Sequence, residues 1–148
     1  MPDTPGDRVA TQLGRLLLRS TRQHLYRRLT ADVAGVDATT YPVLSGIARL
    51  GPTTATRLAP AIGIDRSATT RYASKLEDSG LLARQQDPND ARAAQLTLTA
   101  AGAAAVSAMR AELAATASEI LSEWEPAEAE AFAGALERFT DRFADTPD

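Results

Sequence analysis

Residues 56–102 read TRLAPAIGIDRSATTRYASKLEDSGLLARQQDPNDARAAQLTLTAAG. The decisive part is its centre, where the spacing predicts a helix over about 66–79. Thr69, Tyr72, Ala73 and Leu76 fall at i, i+3, i+4 and i+7, one stripe to be buried. Arg66, Ser67, Thr70, Arg71, Ser74 and Lys75 take the opposite face. Asp65 is placed to cap this helix and Gly80 to end it. Upstream, Thr54 is placed to cap a shorter helix, about 55–61, that stops at Gly63 with Leu58, Ala59 and Ile62 inward. Downstream, LLARQQ (81–86) reads as a strand, Asp-Pro-Asn-Asp (87–90) as a tight turn and 93–98 as the returning strand. Arg92 stands near the tip of that hairpin. Two helices joined by a short glycine-containing turn, the second with a basic outer face, form a helix-turn-helix pattern. A hairpin directly behind it makes a winged helix.

The flanks extend the helical reading. Val9, Leu13, Leu16, Leu17, Leu25, Leu29 and Val33 recur at three- and four-residue steps, which predicts one long helix over 8–34 ended by Gly35. Leu18 falls off that stripe, so this helix is apolar on more than one side. Asp37 is placed to cap a helix over 38–50, with Tyr41, Leu44, Ile47 and Ala48 inward, and Gly51-Pro52 stops it. Thr99 is placed to cap a helix over about 100–123, and Pro126 suits the first turn of another over 126–143. Pro42 and Pro60 then lie beyond the first turns of their helices, where a missing N–H and a ring clash predict bends or shifted boundaries. The expected fold class is mainly α with a small β-hairpin wing (α+β).

Bulk properties narrow the function classes. The chain has 148 residues, 44% hydrophobic and 24% charged, an ordinary globular composition with room for one domain and an oligomerisation element. It has no cysteine, which removes thiolate metal sites, cysteine nucleophiles and cysteine redox sensing. A single histidine, His24, leaves no multi-histidine metal site within one chain, and neither a metal nor a cofactor is expected. No apolar run approaches the ~18 residues of a membrane span, and the polar start MPDTPGDRVATQ has no signal-peptide core. No membrane partner is therefore expected, and the cytoplasm is the expected compartment. The net charge of −3 hides an asymmetry: residues 8–92 carry 13 Lys and Arg against 7 Asp and Glu, whereas residues 93–148 carry 3 against 10. The basic part can face a polyanion while the acidic part keeps the chain dispersed.

The helix-turn-helix suits double-stranded DNA for a physical reason. A helix fits the major groove, arginine can reach guanine O6 and N7 with two hydrogen bonds, and hydroxyls can serve bases or phosphates. Thr54, Thr56 and Arg57 lie at the start of the preceding helix, where backbone N–H groups and a cation can position the phosphate chain.

The same residues resemble the MarR-type (multiple antibiotic resistance regulator) winged-helix transcription factors. The likeness rests on LA..IGI, DRS..TR...KLE..GLL.R, DP.D.R and L.LT..G in order, and the flanking helices extend it over essentially the whole chain. It implies a homodimer in which the first helix and the last two form the interface. The corresponding organisation is an N-terminal dimerisation helix (1–34), a winged helix-turn-helix DNA-binding domain (35–99) and C-terminal dimerisation helices (100–148). It also implies a transcription regulator, expected to be a repressor, that reads a palindromic operator. Arg66, Ser67, Thr70, Arg71, Ser74 and Lys75 match the family's base- and phosphate-contacting positions. Asp90 and Arg92 match its wing element, in which the arginine enters the minor groove and the aspartate braces the guanidinium. Ala91 departs from a frequent second wing arginine, and Thr69 from a usual aliphatic. Thr69 is expected to be packed, with its hydroxyl on a backbone carbonyl. Many members release DNA when a small aromatic or anionic effector binds between the dimerisation and DNA-binding regions. Helices one, two and five are expected to line such a cleft, with His24, Tyr26 and Tyr41 as conceivable contacts.

Two other classes compete. A winged helix can serve as a protein-binding module, and the modest basic excess is the main support for that. An enzyme is poorly supported, because the chain has no Gly-rich phosphate loop and its carboxylates sit mostly on the acidic C-terminal helices.

Overall fold

The computed structural model describes residues 3–147. Among them are seven helices and three short strands. The helices are α1 (Pro5–Leu17), α2 (Arg19–Thr30), α3 (Tyr41–Leu50), α4 (Ala55–Ile62), α5 (Arg66–Asp78), α6 (Ala100–Leu121) and α7 (Pro126–Ala144). The strands are β1 (Thr53–Thr54), β2 (Leu82–Asp87) and β3 (Asp90–Leu98). The chain divides into two compact units between Arg110 and Ala111, within α6.

In the first unit, Leu29, Leu44, Ile47, Leu58, Leu76 and Leu96 are fully buried and draw on α2, α3, α4, α5 and β3. The sheet is antiparallel in the order β1-β3-β2. Leu82 pairs with Leu98 and Arg84 with Leu96, and the regular register ends between Gln86 and Asp87, beside the turn. β1 pairs Thr53 with Leu96 and Thr54 with Gln95. Two threonines ahead of a helix carry no alternation, so this strand leaves no mark in the sequence. The hairpin is thus anchored at its base to the segment that leads into α4.

Three expectations are corrected. The long helix over 8–34 is two helices, broken at Leu18, whose ψ of 137° is extended. Neither proline nor glycine marks the break, and the apolar spacing runs on across one extended residue without a sign of it. α2 ends at Thr30, so Gly35 is not its cap. Gly35 sits in the following loop at φ +85°, and a side chain there would press on Ser79 and Leu81. The helix over 38–50 begins at Tyr41. The Asp37 carboxylate instead closes a turn by accepting the amides of Thr39 and Thr40, each at 2.9 Å. Pro42 thereby lies in the first turn of α3, where its missing N–H has no intrahelical role.

Pro60 does lie inside α4, near its end. Thr56, whose carbonyl loses its usual donor, is exposed, so water can replace the bond. Gly63 follows in the left-handed conformation that the expected cap requires, and the amide of Ile64 bonds the Ala59 carbonyl. Farther on, the Thr99 hydroxyl accepts the Gly102 amide at 3.0 Å and donates to the Gly80 carbonyl at 2.6 Å. That tie brings α6 so close to the end of α5 that a Cβ on Gly102 would overlap the Leu81 carbonyl oxygen.

In the second unit, Trp124 and Phe132 meet at 5.2 Å and Phe139 and Phe143 at 5.7 Å between ring centroids. α7 has no buried residue, and Phe132, Leu136, Phe139 and Phe143 all stand exposed.

Candidate nucleic-acid interface

α5 is built as its sequence pattern requires. Asp65 accepts the Ala68 amide at 2.8 Å and caps the helix. Ala68, Thr69, Ala73 and Leu76 are buried, and Tyr72 is half-buried. Thr69 is wholly buried, and its hydroxyl donates to the Asp65 carbonyl at 2.9 Å, so a polar residue stands at a packed position without an unpaired group.

The outward side begins with Arg66, Ser67, Thr70 and Arg71, which together line a shallow surface depression. All four are exposed. The Arg71 guanidinium lies over the Tyr72 ring, 5.3 Å from its centroid, a contact that restrains the side chain without consuming its hydrogen-bond donors. The Thr70 hydroxyl donates to the Arg66 carbonyl at 2.9 Å and keeps its lone pairs outward. Two cations, two hydroxyls and the positive end of a helix therefore share one exposed surface, an arrangement suited to phosphates and base edges.

The remaining candidate residues are placed less uniformly. Ser74 donates to the Thr70 carbonyl at 3.1 Å and accepts from Arg84 at 3.0 Å, so its hydroxyl is engaged within the protein. Lys75 borders a different groove, with Gly35, Asp37, Thr40 and Asp78. Burial raises the pKa of Asp37. The amides of Thr40 and Thr39, the Thr40 hydroxyl and the Lys75 charge outweigh it and hold the carboxyl below its ordinary value. On α4, Thr54 caps the helix by accepting the Arg57 amide at 3.3 Å, while Thr56 and Arg57 are exposed.

In the wing, the two-residue turn Pro88-Asn89 joins β2 to β3. The buried Asp87 accepts the Asn89 amide at 2.9 Å and sets the turn. Arg92 is exposed and lies within β3, which starts earlier than the expected residue 93. The Asp90 carboxylate accepts the backbone amide of Arg92 at 2.9 Å. The aspartate thus shapes the strand that carries the arginine, rather than gripping the guanidinium as the resemblance implies.

Arg84 closes the KLE..GLL.R run, but the sequence assigns it no role in the site. This β2 residue forms an ion pair with Glu77 at 3.0 Å as well as its bond to Ser74. Opposite charges on either side of a helix-to-strand corner are the one signal that would have pointed to it.

A separate cleft of about 570 Å³ opens beside α2, between the start of α3 and the turn into α5. Arg19, Arg22, Tyr26, Thr39, Asp65 and Tyr72 are among its walls. α6 supplies none of them, against expectation. Of the three conceivable contacts only Tyr26 lines it. Tyr41 packs against Tyr26 with the rings tilted by 34° and their centroids 4.5 Å apart, and His24 is exposed elsewhere on α2.

Comparison with known proteins agrees with this geometry. Residues 36–94, the span from the loop before α3 into the wing, match the MarR family model. The span from the loop before α3 into the wing is thus similar to the MarR family. A crystallised MarR family transcription regulator, SP03579, is 27% identical and superposes with a TM-score of 0.70, over 93% of this chain and 90% of that one. Apo MarR from E. coli shares the fold at 20% identity, with a TM-score of 0.74 over 94% and 98% of the two chains. The HTH-type transcriptional regulator YxaD of Bacillus subtilis is 29% identical over 110 residues, 74% of this chain and 77% of its own. Within that likeness, α4 and α5 take the place of the helix-turn-helix and β2 and β3 that of the wing.

Proposed function

We propose that the chain is a MarR-type regulator, acting as a homodimeric repressor that reads a palindromic operator. The exposed face of Arg66, Ser67, Thr70 and Arg71 on α5 carries the reading. In the major groove Arg71 would take a base edge, while Arg66 and the helix N-terminus hold phosphate. Arg92 would enter the neighbouring minor groove, where narrow A·T-rich stretches concentrate negative potential. Two copies related by a twofold axis would address half-sites about one helical turn, ~34–36 Å, apart. The exposed Leu16, Leu17 and Leu18 of the first unit and the exposed α7 aromatics of the second are apolar surfaces that a second copy would cover.

Release by a small aromatic or anionic effector fits the cleft beside α2, where Arg19 and Arg22 supply positive charge and Tyr26 and Tyr72 supply ring surface. A molecule seated there would touch the α5 cap at Asp65 and shift the equilibrium away from the DNA-binding arrangement.

Replacing Arg71 with alanine tests the reading. It is expected to weaken binding to DNA enriched by the wild-type protein by about 1–3 kcal/mol and to relax specificity at one position. Equal binding of enriched and random duplexes by wild type and variant would overturn the assignment of α5. Absence of any gel shift at low salt with DNA upstream of its own gene would favour a protein-binding module.

A further inference from the structure

Arg84 belongs to neither of the two DNA-facing surfaces, yet it joins them. It lies on β2, paired with Leu96 across the sheet. Its guanidinium reaches back to α5 with two arms, one to the Glu77 carboxylate at 3.0 Å and one to the Ser74 hydroxyl at 3.0 Å. Ser74 passes the connection on by donating to the Thr70 carbonyl at 3.1 Å. A planar guanidinium held at two points fixes an angle as well as a distance. The elements so fixed are the helix that carries Arg71 and the strand whose partner carries Arg92.

We propose that Arg84 is a positioning residue that sets the wing against α5, so that Arg71 and Arg92 meet adjacent grooves together. The inference rests on both elements binding DNA at once, as proposed above. Ser74 then acts as one anchor of this brace instead of reading a base. Arg84 and Glu77 are 31% and 39% exposed, so the pair adds little to folding stability. Its effect lies in preorganisation, because a wing free to swing must be ordered at the moment of binding.

The competing role for Arg84 is direct contact with phosphate, and the two roles predict opposite signs at Glu77. A brace makes the carboxylate helpful. A phosphate contact makes it a competitor for Arg84 and a source of repulsion.

The test uses the full-length protein with Arg84→Ala, Glu77→Ala, the double variant and Arg84→Lys. The probes are a duplex enriched from a random library by the wild type and a scrambled duplex of equal length. Each alanine variant is expected to bind the enriched duplex about fivefold more weakly, and the double variant no worse than the weaker single. The salt slope should stay unchanged. Arg84→Lys keeps the charge but cannot span both anchors, and should recover only part of the loss. Tighter binding by Glu77→Ala, full recovery by lysine, or a slope reduced by about one in Arg84→Ala would overturn the brace. In protein without DNA, wing amides should exchange hydrogen faster in both single variants. Unchanged exchange contradicts the brace even if the wild type enriches no DNA sequence, which by itself would count against the DNA-binding reading.

Discussion

In the proposed complex, Arg92 is the residue on which the wing's contribution to DNA binding would rest. The frequent neighbouring arginine is Ala91 here, so one side chain supplies the cation at the wing's tip. Replacing it with alanine should reduce the salt slope of DNA binding by about one and weaken binding across sequences, measured by titration at several salt concentrations. An unchanged slope would remove Arg92 from the interface. The type and position of Arg92 are legible in the sequence, but the partner of Asp90 is not. An aspartate two residues ahead can bond either the amide or the guanidinium, and only the strand geometry selects the amide. The same limit applies to Ser74 and Lys75. Helical spacing assigns both to the outer face of α5, whereas the neighbours that occupy them, Arg84 and the Asp37 groove, come from other elements of the fold.

At the level of elements, α5 and the hairpin are the parts best read in advance. A cap, a four-residue inward stripe and a terminating glycine all agree within 16 residues, and local agreement of that kind resists tertiary override. The break at Leu18 and the strand Thr53–Thr54 escape notice because each depends on what the chain packs against. Two measurements address this level. Gly102→Ala would drive a methyl group into the Leu81 carbonyl. It should cost about 1–3 kcal/mol of stability in a denaturant titration, with the loss confined to folding. A neutral result would mean that α6 does not approach the end of α5 so closely. The turn at Asp37 gives a pH dependence of definite sign. Its carboxyl is held below the ordinary 3.8, so its stabilising contribution is complete above that value and is lost as pH falls through the lower, folded-state value. Asp37→Asn should therefore flatten the acid limb of the thermal-stability profile below about 3.8 and leave the neutral region's slope unchanged. An acid limb identical to wild type would show that this turn does not titrate with folding.

For the molecule as a whole, the proposed homodimer draws on apolar residues that neither unit buries by itself. Phe132→Glu combined with Phe139→Glu should shift the protein from dimer to monomer in light scattering while leaving the helix-turn-helix folded. A dimer that persists would place the interface elsewhere. The proposed dimer would also fix what DNA must look like, because twofold symmetry in the protein calls for it in the site. The most direct measurement is selection of bound fragments from randomised double-stranded DNA, followed by sequencing at moderate salt. The proposed regulator enriches an inverted repeat with half-sites about one helical turn apart, and an A·T-rich stretch where each wing would lie. Enrichment of no sequence above the starting pool, or of single half-sites with no fixed spacing, would contradict it.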